Sequence, residues 1–227
     1  MPDSDDSEPT GRGQYCPVSR AVDLLGERWT MLIVRDMLVG ACRFNDLARG
    51  LPGLSRSLLT KRLRQLERSG LVDRLDGEYH LTEAGEALRP IVFGLGEWGA
   101  KYIFGEPRPS ELDPDLLMWW VHKRIDTAQL PPRRTVLHFR FADDPRRYWI
   151  VIDSQGPSVC DFDPGFDVDV TVTADVATLH RVWLGHEPIT DAMRAGRLAF
   201  EGPRALTRRM PDALLLSEIA GAVRAAR

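Results

Sequence analysis

The chain is poor in the features that would place it across or outside a membrane, or mark it as an enzyme. Its 227 residues hold only three cysteines, Cys16, Cys42 and Cys160. An odd and widely spaced set suits free thiols in a reducing cytosol better than a disulfide framework. No stretch approaches the roughly 18 uninterrupted apolar residues that span a bilayer, and the first residues are acidic, unlike a signal peptide. A cytoplasmic protein with no membrane partner is expected. The five histidines lack metal-ligand spacing, with neither an H-E-x-x-H nor a pair of cysteines two residues apart. Asp161, Asp163, Asp167 and Asp169 lack the glycine and glutamate of a calcium loop, and Asp167 and Asp169 read as the wet face of a strand around Val168–Val172. Gly53-Leu-Ser-Arg-Ser57 is not a nucleophile elbow. Gly94-Leu-Gly-Glu-Trp-Gly99 matches the dinucleotide fingerprint letter for letter, but a helical heptad runs through it and no strand precedes it, so nucleotide binding is rejected. No catalytic activity, metal or cofactor is expected.

An excess of base is also missing, since the formal net charge is −3. That average hides a sharp segregation. Residues 1–13 carry four acids and one arginine, residues 14–104 thirteen bases and eleven acids, and residues 105–227 sixteen bases and eighteen acids. Between Arg43 and Arg74 eight bases face three acids, a local footprint of the kind that phosphate backbones attract.

Composition divides the chain. Residues 1–13 read as a disordered acidic tail. Three prolines at 107, 109 and 114 make residues 105–114 an extended spacer, separating domains at 14–104 and 115–227. In the first, Pro17 opens a helix to Leu25, Trp29–Val39 is an apolar helix, and Phe44–Leu51 is a short helix closed by Pro52-Gly53. Ser55 then caps a helix ending at Gly70. Leu71–Leu75 and Glu78–Leu81, joined by Asp76-Gly77, form a hairpin, and Thr82 caps one last long helix. This is the order of a winged helix-turn-helix.

The helix after Ser55 sorts its side chains by face. Leu58, Leu59, Leu63 and Leu66 lie on the core side together with Arg62, which is therefore given an intradomain role. Ser55, Arg56 and Ser57 form a first turn able to enter a major groove, and Thr60, Lys61, Arg64 and Arg68 follow on the open face. Lys61, Arg64 and Arg68 suit phosphates, and Arg43 and Arg74 add flanking bases. A merely solvated basic face is the bland alternative. In the last helix Leu88, Ile91, Leu95, Trp98 and Tyr102 repeat at heptad spacing; they are candidate dimer contacts or, alternatively, intradomain core.

Tyr15–Asp36, Arg43-Phe-Asn-Asp-Leu47, Leu51-Pro-Gly-Leu-Ser55, Leu63-Arg-Gln-Leu-Glu67, Gly70-Leu-Val72 and Leu81-Thr-Glu-Ala-Gly85 together resemble the HxlR-type winged-helix transcription regulators. The resemblance implies a bacterial or archaeal homodimer whose helix after Ser55 is the recognition helix on operator DNA. It also makes Cys16 a candidate thiol sensor, as some such regulators carry a reactive cysteine there. The acidic turn Asp76-Gly77-Glu78 departs from the family's longer basic wing, which leaves Arg74 as the one wing-side base.

The second domain reads as α+β: a helix over Leu116–Ile125, strands at Leu137–Phe141, Tyr148–Ile152 and Val168–Val172, helices at Asp175–Leu184, Ile189–Ala195 and Asp212–Ala225, and a strand from Arg197 to Glu201. Thr173–Leu179, Leu184-Gly185 and Ala192–Gly202 resemble the C-terminal part of sterol carrier protein-like domains. That resemblance implies a small apolar ligand, with Trp119, Trp120, Trp183 and Met193 as candidate pocket residues, though aromatics at helical spacing are also ordinary core. The expected function is a homodimeric, sequence-specific transcription regulator with an apolar effector. The alternative is an apolar-ligand accessory protein whose winged helix makes protein contacts.

Overall fold

A computed structural model describes residues 15–226; the acidic tail expected at 1–13 lies outside them. The chain divides into two compact units, the first ending at Val92 and the second beginning at Phe93. The division falls ahead of the proline-rich spacer, which belongs to the second unit.

The first unit contains α1 (Pro17–Leu25), α2 (Thr30–Leu38), α3 (Phe44–Gly50) and α4 (Arg56–Arg68), then strands β1 (Val72–Leu75) and β2 (Glu78–Leu81) and the short α5 (Glu83–Glu86). Its core is Ile33, Val34, Leu47, Leu59, Leu63 and Leu66, all essentially without solvent contact. The Ser55 hydroxyl accepts from Leu58 N and starts α4, and Gly70 at φ +67° ends it in a conformation other residues rarely adopt. Asp76 and Gly77 both take positive φ, 50° and 85°, as a two-residue hairpin turn matching strand twist requires. Thr82 clamps the hairpin to the helices, its hydroxyl donating to Gly70 O and accepting from Gly85 N. A Cβ at Gly85 would stand 2.2 Å from Leu71 O, so the close approach of α5 to the chain before β1 needs glycine.

The single long helix expected after Thr82 is two. α5 stops at Glu86, and α6 (Arg89–Tyr102) starts afresh because Pro90, with no N–H to give a preceding turn, fits only the first turn of a helix. Leu88 falls in the break and is buried at 8% exposure, so it serves as core and the exposed seam begins at Ile91.

In the second unit α7 (Pro114–His122) precedes β3 (Thr135–Phe141), β4 (Arg147–Asp153), β5 (Gly156–Cys160) and β6 (Val170–Ala174). There follow α8 (Val176–Trp183), α9 (Ile189–Arg194), β7 (Leu198–Glu201), α10 (Arg204–Thr207), α11 (Met210–Ala213) and α12 (Ala220–Ala225). The sheet order is β5-β4-β3-β6-β7, antiparallel except where β3 and β6 run parallel. Leu137, Phe139, Phe141, Ile150 and Val172 point from one face into a core shared with Leu117 and Met118 of α7 and Leu179 and Val182 of α8. This is a sheet covered on one side by helices, the two-layer α+β arrangement.

The structure departs from the sequence pattern at four places. β5 was not anticipated; its Pro157 is tolerable because the strand lies at the sheet's edge. Asp169 precedes β6 and is no wet-face strand residue: its carboxylate accepts from Val136 N and from Arg133. The helix expected over Asp212–Ala225 is interrupted because Leu214 bridges to Ile125 and Leu215 N donates to Arg124 O. Nor is the spacer extended throughout, since Pro109–Glu111 forms a 3₁₀ turn, and Glu106 of the spacer pairs with Arg181 of α8.

Candidate nucleic-acid interface

α4 presents a sorted surface. Leu59, Leu63, Leu66 and Arg62 are buried, and Arg62 donates to Glu27 and Gln65, the intradomain role expected of it. Ser55, Arg56, Ser57, Lys61, Arg64 and Arg68 are exposed, whereas Thr60 is half-buried and donates its hydroxyl proton to Arg56 O at 2.9 Å. Among the described residues Lys61, Arg64 and Arg68 engage no acid. Their charges are therefore uncompensated along one side of the helix.

The remaining candidates are more constrained. Arg56 Nη2 donates to Asn45 Oδ1 at 2.8 Å, and its guanidinium lies 4.8 Å from the centre of the Phe44 ring. It thus ties α3 to α4. Ser55 is occupied by capping and lies 3.2 Å from the Ser57 hydroxyl. Arg74 lies over the ring of Tyr79 in the wing. Arg43 Nε donates to Glu78 at 2.7 Å. The Arg43 guanidinium holds the Glu78 carboxyl below the usual carboxylate range, and Glu78 in turn raises the arginine. Burial, with the Glu78 charge, pushes the adjacent Cys42 thiol up. The acid at the wing is therefore partly neutralised by a base counted as a DNA contact, a pairing that spacing 35 residues apart gave no means of seeing. Asn45 was missed for the same reason. Cys16 is half-buried and stands just before α1 without capping it through its side chain.

On α6, Ile91, Leu95, Trp98 and Tyr102 are each at least half exposed, and Trp98 and Tyr102 lie against each other at 5.6 Å. The four aromatic and methionine pocket candidates of the second domain do not converge. Trp120 and Trp183 line one cavity of about 550 Å³, while Trp119 is buried beside His122 and Met193 packs at the margin of the core. Helical spacing put Trp119 and Trp120 side by side in sequence, and on a helix that points them to different sides.

His180 shares the cavity wall with Trp183. Burial holds its imidazole neutral, lowering its pKa to about 4 against a weaker opposing pull from Asp113. The unfolded chain takes up this proton near 6.5, so the stability due to a neutral His180 is complete above that value. It is lost as pH falls from about 6.5 towards 4, by on the order of 3 kcal/mol in all. His180→Gln should flatten the pH dependence of unfolding across that window by up to one proton, as measured by urea denaturation at stepped pH. An unchanged slope would show that another group sets it.

A helix pair braced by an arginine, a hairpin wing and an uncompensated basic helix face define a winged helix-turn-helix protein. Residues 24–106 match the family model described as HxlR-like helix-turn-helix, and residues 125–214 match that of the SCP-2 sterol transfer family. The chain is 38% identical over 110 residues to YvaP of Bacillus subtilis, named as an HTH-type transcriptional regulator, covering 45% of this chain and 98% of YvaP. An HTH-type transcriptional regulator of Mycobacterium tuberculosis is 46% identical over 100 residues, 41% of this chain, and the chain spans 61% of that relative's length. The solved structure of quinone-bound YodB from B. subtilis is 34% identical and covers 38% of this chain and 100% of that one, with a TM-score of 0.37. The chain belongs to the HxlR-like helix-turn-helix family, and carries an SCP-2-like domain after it.

Proposed function

We propose that this protein is a sequence-specific, double-stranded-DNA-binding transcription regulator that acts as a homodimer under the control of an uncharged apolar effector. The observation that carries the reading is the open face of α4, where Lys61, Arg64 and Arg68 stand exposed and form no ion pair among the described residues. Exposed bases on a helix shaped for the major groove supply phosphate contacts, and the Ser55–Ser57 turn supplies short donors and acceptors for base edges. Dimerisation is supported by the apolar stripe Ile91, Leu95, Trp98 and Tyr102 on α6, because one recognition helix alone binds weakly and unselectively. Purified protein should select discrete fragments from genomic DNA, and affinity for them should fall steeply with salt. Uniform recovery of all fragments would overturn sequence specificity, and no recovery would overturn the reading itself.

The Arg43–Glu78 pair makes a separate expectation within this reading. Glu78→Gln removes an acid from the wing and frees Arg43 for phosphate. DNA affinity should rise several-fold, with the salt slope steeper by about one. Fluorescence anisotropy at four salt concentrations measures both; an affinity equal to the parent's would mean that Arg43 stays away from the backbone.

A further inference from the structure

The cavity in the second unit has a composition more specific than a generic apolar hole. Its walls include Ile103 and Phe104 at the end of α6, Leu116 and Trp120 of α7, and His180 and Trp183 of α8. The rings of Trp120 and Trp183 are near-parallel at 28°, with centroids 6.5 Å apart. They present flat π surfaces, which a rigid ring covers with less entropy loss than a flexible chain does. His180 and Trp183 are three residues apart and so share a face of α8. Both imidazole nitrogens of His180 and the Trp183 indole nitrogen are sealed from solvent, without hydrogen-bond partners among the described residues. A buried polar group left without a partner is costly, and these nitrogens lie just behind the cavity wall, unanswered among the described residues. The charges nearby answer one another: Arg181 pairs with Glu106 and Glu187, and Arg108 with Glu111. Among the described residues a charged ligand would find no unpaired counter-ion here.

The segment over the cavity is fastened at both ends of its reach. Phe104 stacks on His186 at 5.5 Å, and Glu106 is joined to Arg181. It is continuous with α6, so what fills the cavity bears on the turn that carries Tyr102.

We propose that this cavity binds an uncharged, planar aromatic molecule bearing a hydroxyl or carbonyl group, its ring against Trp120 and Trp183 and its polar group answering His180 or the Trp183 N–H after a small side-chain rotation. The volume of about 550 Å³ lies within the range of small-molecule sites. The inference rests on the effector reading of the second domain, and its test separates the two.

Titration calorimetry of the full chain with 2-naphthol at pH 7.5 should give saturable one-to-one binding with a dissociation constant on the order of tens of micromolar. Trp183→Leu should weaken it tenfold or more. Leu116→Trp, which fills the cavity from a half-buried wall position, should do the same, and circular dichroism establishes that each variant is folded. The anion 2-naphthoate, with the same ring system, should bind at least tenfold more weakly. No saturable heat from 2-naphthol on protein that still binds DNA overturns the inference. So does saturable binding of myristate in its place that both variants abolish, which would assign the cavity to flexible lipid chains. If 2-naphthol binds as expected but leaves DNA affinity unchanged, the cavity assignment stands and the effector reading falls.

Discussion

Lys61→Ala combined with Arg64→Ala should weaken binding to duplex DNA by on the order of a hundredfold or more near physiological salt, for all sequences alike. Hydrogen bonds to charged groups contribute about 1.5–3 kcal/mol each, and two lost contacts at the low end of that range already amount to a hundredfold. The slope of log affinity against log salt carries the sharper information, because each phosphate contact adds about 0.9 to it. Two lost contacts flatten the slope by about 1.8, whereas a dimer that sets α4 on both half-sites loses four and flattens it by about 3.6. The experiment thus reads stoichiometry as well as position. Both side chains are exposed on α4 and engage no acid among the described residues, so the fold has little reason to respond, and an unchanged melting temperature is part of the expectation. Binding unchanged in strength and slope would remove α4 from the interface. Arg62 is the internal contrast: buried and bonded to Glu27 and Gln65, Arg62→Ala should lower stability and leave the salt slope of the folded fraction as it was.

Why that contrast was legible in the sequence and others were not is a matter of range. The faces of α4 follow from a 100° step per residue, so Arg62 separated from Lys61, Arg64 and Arg68 by arithmetic alone. The caps at Ser55 and Gly70 and the Asp76-Gly77 turn are equally local, and the structure has them as expected. What escaped is what depends on partners far away in the chain. Glu78 neutralises Arg43 across 35 residues, Asn45 steadies Arg56 from another helix, and Leu214 leaves a helical pattern to bridge Ile125. Local pattern carries no record of such competition between a helix turn and a bridge from elsewhere. The break at Pro90 was local and could have been found: a proline two residues past the Ala87-Leu88 pair, eight residues beyond a capping threonine, restarts a helix rather than continuing it. The same distinction explains the pocket candidates. Adjacent tryptophans on α7 necessarily face different ways, and only the strand and helix packing decides which of them meets Trp183.

Leu95→Glu with Trp98→Glu should convert the protein to a monomer. These side chains stand 55% and 54% exposed, so they hold little of their own domain together, and glutamate is a good helix former at an exposed site. The substitution is therefore cheap for the fold and severe for any surface that buries them. In a two-fold interface each lost contact occurs twice. Forfeiting about half of the 1.5–3 kcal/mol that a fully buried large apolar side chain contributes, at two positions on two chains, removes on the order of 3–6 kcal/mol. That weakens association by about two to four powers of ten, before the cost of bringing four carboxylates together. Analytical ultracentrifugation should show a dimer for the parent and a monomer for the variant at micromolar concentration, with the same circular dichroism spectrum. DNA binding should then drop to that of a single half-site, with a salt slope halved because half the phosphate contacts are gone. Two results would defeat the assignment differently. A variant that remains dimeric moves the interface away from this stripe on α6, and a variant that is monomeric yet binds DNA with the parent's affinity and slope means that one recognition helix suffices.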